Sequence, residues 1–232
     1  MFRYFLLILF VGVLSALADT QREFIVVSGG PSLIEWEKYK AEPHDRWWGN
    51  FVRAARVRIQ EIQTKNPGAI ITWLVYKPSY DRRAARQDKS DLIGNITSVR
   101  DKYGINLVWI DKSQDLIDYL NAGKPRDQVK IADFEYFGHS NRACWMFDYS
   151  NQIDSGSKCW LHEKELGGIH RGIFSKDAFI KSWSCHTGES MAKCWKKVTG
   201  MKMIAAIGKT DYSNGHLRNW IPGLSEGAHW TK

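Results

Sequence analysis

Long apolar stretches are absent from this chain after its first twenty residues. A transmembrane helix needs about 20 consecutive apolar residues, so we expect a soluble mature protein that is not stably inserted in a membrane. The sequence also lacks internal repeats, low-complexity segments and an evident interdomain linker. These absences predict a single domain over residues 19–232, which is long enough for a substantial core.

Cysteine is scarce, and the four present are Cys144, Cys159, Cys185 and Cys194. Four cysteines allow three pairings. We favour a disulfide between Cys144 and Cys159, because it would covalently close the predicted hairpin that lies between Arg142 and Leu161. Cys194 lies three residues after Met191 and shares its apolar helix face, as a core residue does. A bridge between Cys185 and Cys194 is the alternative, and it would remove the free thiol of Cys185.

Metal-ligand spacing is missing as well. Four further histidines could in principle bind a metal ion, but none of them lies at a metal-ligand spacing from a cysteine. They are His162, His170, His216 and His229. Structural zinc sites bring cysteines and histidines together at short, characteristic spacings. We therefore expect neither a metal site nor a cofactor.

The N-terminus has the three parts of a secretory signal peptide. Arg3 supplies the positive charge, Tyr4–Leu14 form the apolar region, and Ala16 and Ala18 supply the small-residue cleavage pattern. Cleavage after Ala18 would leave a mature protein that is secreted or periplasmic. The alternative is an uncleaved membrane anchor.

Acidic residues are outnumbered, with 25 aspartates and glutamates against 33 lysines and arginines, for a net charge of +8. The basic residues are spread along the chain, which is typical of a solvated surface and not of a nucleic-acid site. An exported protein also rarely meets nucleic acid. We expect no nucleic-acid partner, although weak attraction to anionic envelope surfaces is compatible with this charge.

Apolar runs alternate with helical patterns along the chain, as in a series of βαβ units. The predicted strands are Phe24–Ser28, Ala69–Tyr76, Ile105–Ile110, Val129–Phe137, Ala178–Ser184 and Lys202–Gly208. Helical periodicity predicts helices over Arg46–Gln63, over Ser90–Lys102, from a cap at Ser113 to Gly123, and after Cys185. The expected fold class is α/β with a mainly parallel six-stranded sheet.

Residues 141–177 contain no clean helical pattern and are rich in aromatic side chains. Their composition predicts a hairpin or lid with its turn at Asp154–Gly156. The chain also has eleven tryptophans, which indicate an aromatic core or an aromatic-lined groove.

Two of the predicted strands end in reactive side chains. The fourth runs into His139 and the fifth into Cys185. Ligands of parallel sheets bind at the carboxyl ends of the strands, so neighbouring strands would bring both side chains to one edge. An adjacent imidazole activates a thiol, and a helix beginning directly after Cys185 would further favour the thiolate. The pattern predicts a nucleophilic cysteine with a histidine base.

The segments FEYFGHSN and FIKSWSCHTGES, followed by MKMIAAIG, resemble the catalytic blocks of clan CD cysteine peptidases. This group includes caspases, legumains, gingipains and the self-cleaving domains of bacterial toxins. In caspases the histidine precedes the cysteine by about fifty residues, and here the separation is 46, from position 139 to position 185. The resemblance covers roughly residues 129–208 and suggests a divergent, exported, bacterial-type member of the group.

The resemblance implies a caspase-like three-layer fold and a peptide or protein substrate. It implies that Cys185 is the nucleophile, that His139 is the general acid–base, and that the N–H groups of Ser140 and Cys185 bind the oxyanion. The chain departs from the family at Ser140, where glycine is usual, and it lacks the caspase sequence Q-A-C-x-G. The broader clan is therefore indicated and not the caspases themselves. A caspase-like preference for acidic residues would need a basic pocket, for which the candidates are Arg142, Arg171 and the Arg82–Arg86 cluster.

Three alternatives compete with this assignment. His186 is a second candidate base, although adjacent side chains at a strand end point apart. Ser140 could be the nucleophile of an α/β-hydrolase with Asp211 and His229, but Arg142 stands where the G-x-S-x-G motif needs its final glycine. The third alternative is a non-catalytic module that binds a ligand through the aromatic insertion.

Overall fold

The computed structural model describes residues 21–33, 47–149 and 158–231. The predicted signal peptide and the predicted turn at Asp154–Gly156 lie outside these residues. Within the described part of the chain, no helix is both long enough and apolar enough to cross a membrane.

The centre of the fold is a seven-stranded sheet. Its strands are β1 (Gln21–Ser28), β2 (Ile70–Tyr76), β3 (Asn106–Ile110), β4 (Val129–Phe137), β8 (Phe174–Ser182), β9 (Ile204–Ile207) and β12 (His229–Trp230). They lie in the order β12-β9-β8-β4-β1-β2-β3. All neighbours are parallel except β12, which pairs with β9 in antiparallel orientation. The α/β class with a mostly parallel sheet is confirmed, but the prediction of six strands was wrong.

In the described ranges, five α-helices connect or follow these strands. They are α1 (Asn50–Lys65), α2 (Lys77–Arg83), α3 (Leu92–Tyr103), α4 (Ser113–Ala122) and α5 (Met191–Thr199), and a single π-helical turn (Ala84–Asp88) extends α2. The side chain of Asp91 caps α3 by accepting the N–H of Gly94 at 2.7 Å. The predicted cap of α4 at Ser113 was wrong by one position, since Lys112 is the N-cap and the Asp115 carboxylate accepts its N–H at 3.0 Å.

Apolar side chains cover both faces of the sheet. One cluster joins Phe51 and Ile59 of α1 and Ile96 of α3 to the strands. The other joins Leu116 of α4 and Trp195 of α5 to the opposite face. This division places helices on both sides of the strands, as a buried parallel sheet requires.

The insertion forms a small antiparallel sheet of its own. Its strands are β5 (His139–Ser140), β6 (Cys144–Asp148) and β7 (Cys159–His162). Two further short strands, β10 (Thr210–Asp211) and β11 (Gly223–Leu224), pair with each other after β9. Strands β6 and β7 are thus paired in antiparallel orientation within the insertion.

The expected disulfide between Cys144 and Cys159 is not formed in this structure. Cys144 lies opposite His162 and Cys159 lies opposite Asp148, at the two ends of the hairpin. Four residues of strand span about 13 Å, and a disulfide requires Cα atoms within about 7 Å. No disulfide joins any of the four cysteines, all of which lie in the described ranges, so the alternative bridge between Cys185 and Cys194 is not present either.

Candidate active site

Strands β4 and β8 are parallel neighbours, and their carboxyl ends lie side by side. Tyr136 is in register with Ser182, and the next N–H, that of Trp183, donates to the Tyr136 carbonyl at 2.8 Å. The rings of Phe137 and Trp183 stack with their centroids 5.7 Å apart. The expectation that the two strands are neighbours is therefore fulfilled, and His139 and Cys185 follow at the same edge of the sheet.

A hydrogen bond joins the two segments at the site itself. The hydroxyl of Ser140 donates to the carbonyl oxygen of Cys185 at 2.5 Å. A glycine at position 140 could not make this bond. The residue that departs from the family pattern thus ties the histidine segment to the cysteine segment.

The sulfur of Cys185 is partly buried and faces Thr210. The Thr210 N–H donates to it at 3.4 Å, and the Thr210 hydroxyl lies 3.4 Å away. In the part of the chain that the structure describes, no hydrogen bond joins this sulfur to His139. Thr210 therefore contributes to the site, although no sequence pattern indicated it.

The imidazole of His139 lies between two aromatic rings. Its centroid is 5.0 Å from that of Phe51, in an edge-to-face arrangement, and 5.0 Å from that of Tyr149. The hydroxyl of Tyr136 donates to the His139 carbonyl at 3.0 Å. These contacts fix the backbone of His139 and limit the rotation of its ring.

Two backbone N–H groups at the site are available to a ligand. Ser140 pairs with Trp145, and the next N–H, that of Asn141, donates to the Cys144 carbonyl at 3.0 Å. Because hydrogen-bonded and non-hydrogen-bonded pairs alternate in an antiparallel ladder, the Ser140 N–H points away from β6. The N–H of Cys185 has no acceptor among the described residues. These are the two donors that the resemblance implies for the oxyanion.

His186 is held by other groups. Its backbone has a φ of +61°, its N–H donates to the Gly208 carbonyl at 2.7 Å, and its Nδ1 lies 2.6 Å from Oε1 of Glu189. The hydrogen bond from His186 lowers the pKa of Glu189, which also binds Arg142 at 3.0 Å. The Glu189 carboxylate therefore occupies one ring nitrogen of His186.

The expected helix-dipole effect on Cys185 was wrong. The helix α5 begins at Met191, six residues after the cysteine, and the dipole acts only within about the first turn. The intervening residues form turns. The dipole of α5 therefore does not act on the Cys185 thiol.

The serine-hydrolase arrangement is not assembled in the described structure. Ser140 lies in a short strand that continues into β6 and not into a helix. The Asp211 carboxylate accepts the N–H of Ser213 at 2.7 Å, while His229 lies in the edge strand β12. No hydrogen bond joins Ser140, Asp211 and His229 in the described ranges, and the nucleophile elbow needs a strand-to-helix turn.

A buried ion pair links the helix α1 to strand β4 beneath the site. The guanidinium of Arg58 binds the Glu135 carboxylate with its Nε at 2.8 Å and a terminal nitrogen at 2.6 Å. Glu135 also accepts the indole N–H of Trp183, whose carbonyl accepts the Tyr212 hydroxyl at 2.8 Å. Burial, together with the charge of Glu135, raises the pKa of Asp133 to about 9. Asp133 is therefore protonated at neutral pH.

Replacing Asp133 with asparagine is expected to flatten the pH dependence of stability. An unfolded aspartate has a pKa of about 3.9, so the folded protein holds a proton that the unfolded chain releases, and stability falls as the pH rises from about 4 toward 9. Asparagine carries no such proton. Urea midpoints at pH 5.0 and 7.5 should differ less in the variant than in the wild type.

Burial lowers the pKa of Lys181 to about 8, so this lysine begins to titrate near the upper pH, but it is present in both the wild type and the variant. The matched control is Asp177→Asn, an exposed carboxylate paired with Arg22 at 3.0 Å, which should leave the pH dependence unchanged. If the urea midpoint of Asp133→Asn changes with pH as much as that of the wild type, Asp133 is ionised in the folded protein.

Two surface concavities formed by described residues lie away from His139 and Cys185. One of about 290 Å³ lies at the amino ends of β1 and β2, and one of about 170 Å³ lies between α1 and α3.

No protein-family model, curated protein or solved structure matches this chain. The resemblance to clan CD peptidases therefore rests on the strand-end residues themselves.

Proposed function

We propose that this chain is an exported, caspase-like cysteine peptidase with Cys185 as the nucleophile and His139 as the general acid–base. The observation that supports it is the meeting of two parallel strand ends, tied by the hydrogen bond from Ser140 to the Cys185 carbonyl. A thiol outside any disulfide, a histidine and two backbone N–H groups lie on the two segments that meet at this edge. This is the set that acyl transfer requires.

In the proposed acylation, His139 takes the proton of the Cys185 thiol while the sulfur attacks the peptide carbonyl. The carbonyl oxygen becomes an oxyanion that accepts hydrogen bonds from the N–H groups of Ser140 and Cys185. When the tetrahedral intermediate collapses, the C–N bond breaks, His139 gives its proton to the leaving amine, and a thioester remains on Cys185.

Deacylation uses the same groups in reverse roles. His139 takes a proton from water, the hydroxide attacks the thioester, and the C–S bond breaks to release a carboxylic acid and restore the thiol. The imidazole must approach the sulfur for proton transfer, since no hydrogen bond joins them in the described structure. Catalytic contacts of this kind often tighten only when substrate binds.

The test is selective chemical labelling of the mature protein. Iodoacetamide should alkylate Cys185 faster than the other three cysteines and abolish peptide cleavage, while a fluorophosphonate should label no serine. A Cys194→Ala variant is the control, because it removes a thiol that packs beside the core and should retain cleavage. Labelling of Ser140 by the fluorophosphonate would instead establish the serine hydrolase.

One observation favours a second candidate, a non-catalytic binding module. The sulfur of Cys185 is hydrogen-bonded to Thr210 and not to His139 in the described structure. If neither reagent labels Cys185 or Ser140 selectively and no peptide is cleaved, the binding module is the better description.

Replacing Ser140 with alanine tests the link between the two segments. Losing one hydrogen bond of about 1 kcal/mol should lower kcat/KM for peptide cleavage by about fivefold to tenfold, because the Cys185 carbonyl loses its anchor. The matched control is Ser175→Ala, in which the hydroxyl-to-carbonyl bond to Ile131, of 3.4 Å, lies near the opposite end of β8. Equal losses in the two variants would contradict a local role for Ser140.

A further inference from the structure

Aromatic rings form a continuous series beside His139. Phe51 contacts His139 on one side, Tyr149 contacts it on the other, and Phe51 in turn lies 5.1 Å from Tyr212, edge to face. Tyr212 continues the series to Trp220 at 6.1 Å. Phe51 is buried, whereas Tyr149, Tyr212 and Trp220 are partly exposed. A ligand at the site therefore meets aromatic surface next to the imidazole.

The loop that carries Tyr212 and Trp220 is fixed against the start of α1. The guanidinium of Arg53 donates to the carbonyl of His216. A side chain at Gly215 would place its Cβ 2.7 Å from the Asn50 carboxamide oxygen, so the loop passes close to the helix. The Tyr212 hydroxyl is bonded to the Trp183 carbonyl, two residues before Cys185. Tyr149, Tyr212 and Trp220 together are called the aromatic wall, and the loop that carries Tyr212 and Trp220 is attached to both the helix and the cysteine segment.

Four of the basic candidates for an acidic-residue pocket are engaged elsewhere. Arg142 binds Glu189 at 3.0 Å, and Arg171 donates to the carbonyls of Val198 and Lys197 at 2.7 and 2.5 Å. Arg82 binds Asp148 at 2.6 Å and the fully buried Arg83 binds Asp88 at 2.7 Å. These four guanidinium groups already have anionic or carbonyl partners, which weakens the case for an acidic side chain as substrate.

From these contacts we propose that the site selects peptides with an aromatic or other large apolar side chain directly flanking the scissile bond. The inference rests on the proposed peptidase function and specifies its substrate class. The side chain packs against Tyr149, Tyr212 and Trp220, where apolar surface and edge-to-face ring contacts both favour it. This choice differs from the acidic preference of caspases.

Mapping of cleavage sites in a peptide library tests the proposal. The mature protein is incubated with a proteome-derived library, and the residues on both sides of each cleaved bond are identified by mass spectrometry. Phenylalanine, tyrosine, tryptophan, leucine and methionine should be enriched at one of these two positions. Enrichment of acidic or basic residues at both positions, or no preference, overturns the proposed substrate class while leaving the peptidase function intact.

A variant pair tests the residues of the wall. Trp220→Ala should lower kcat/KM about tenfold for a peptide with phenylalanine at the selected position and hardly at all for the matching alanine peptide, as the loss of one apolar contact predicts. Trp160→Ala is the matched control, since its ring is 47% exposed on β7. Equal losses on the two peptides overturn the role of Trp220. If the library is not cleaved and Cys185 is not alkylated selectively, the peptidase function itself fails.

Discussion

His139→Ala is expected to lower kcat/KM for peptide cleavage by about 10³-fold, the usual contribution of a general acid–base. The imidazole is the group proposed to take the thiol proton and to protonate the leaving amine, and an alanine can do neither. His139 is partly exposed at the strand end, so the fold should tolerate the change. The residual activity would come from the oxyanion donors and substrate binding.

The matched control is His186→Asn. Asparagine tolerates the positive φ of this position better than most residues, and the ring of His186 is engaged with Glu189 at 2.6 Å. We expect less than about a fivefold loss, because exposed pairs of this kind contribute little. A larger loss in His186→Asn than in His139→Ala would reverse the assignment of the base.

Trp195→Ala is expected to lower the free energy of unfolding by about 3–5 kcal/mol, the range for large aromatic truncations in a packed core. The Trp195 ring is fully buried and stacks on Phe134 with centroids 5.2 Å apart. It also lies 5.7 Å from both Trp145 and Phe174. Its loss leaves a cavity where α5 meets the sheet and the hairpin.

Urea denaturation of the two tryptophan variants measures this effect. Trp160→Ala removes the same side chain from an exposed position and should change stability by less than about 0.5 kcal/mol. A loss below about 1 kcal/mol in Trp195→Ala would mean that α5 is not packed on the sheet as the structure shows.

Much of the sheet could be predicted from the sequence, because its central strands are buried on both faces and appear as short apolar runs. Ala69–Tyr76 is such a run, and its predicted bounds agree with β2 to within one residue. The seventh strand could not be predicted, since His229–Trp230 is only two residues long and has no periodicity. The helix α2 was also missed, because its arginines looked like a polar connection, although Arg83 is in fact fully buried.

The positions of His139 and Cys185 beside each other's strand ends could be predicted, because each residue lies within three residues of the end of its strand. The surroundings of these two residues could not be predicted. The start of α1 and a loop after β9 bring distant residues to the site, and these are Phe51, Thr210 and Tyr212. Because they are distant in sequence, no local sequence pattern predicts them. The predicted disulfide failed for a related reason, since the register that separates Cys144 from Cys159 is set by tertiary pairing.

The most direct test of the proposed mechanism is acid-quenched mass spectrometry of the mature protein during turnover of an activated peptidyl ester. The peptide fragment that contains Cys185 should carry the mass of the acyl group, hydroxylamine should remove it as expected for a thioester, and Cys185→Ala should show neither the adduct nor turnover. An acyl group found on Ser140, or turnover that persists in Cys185→Ala, would contradict the assignment of Cys185 as the nucleophile.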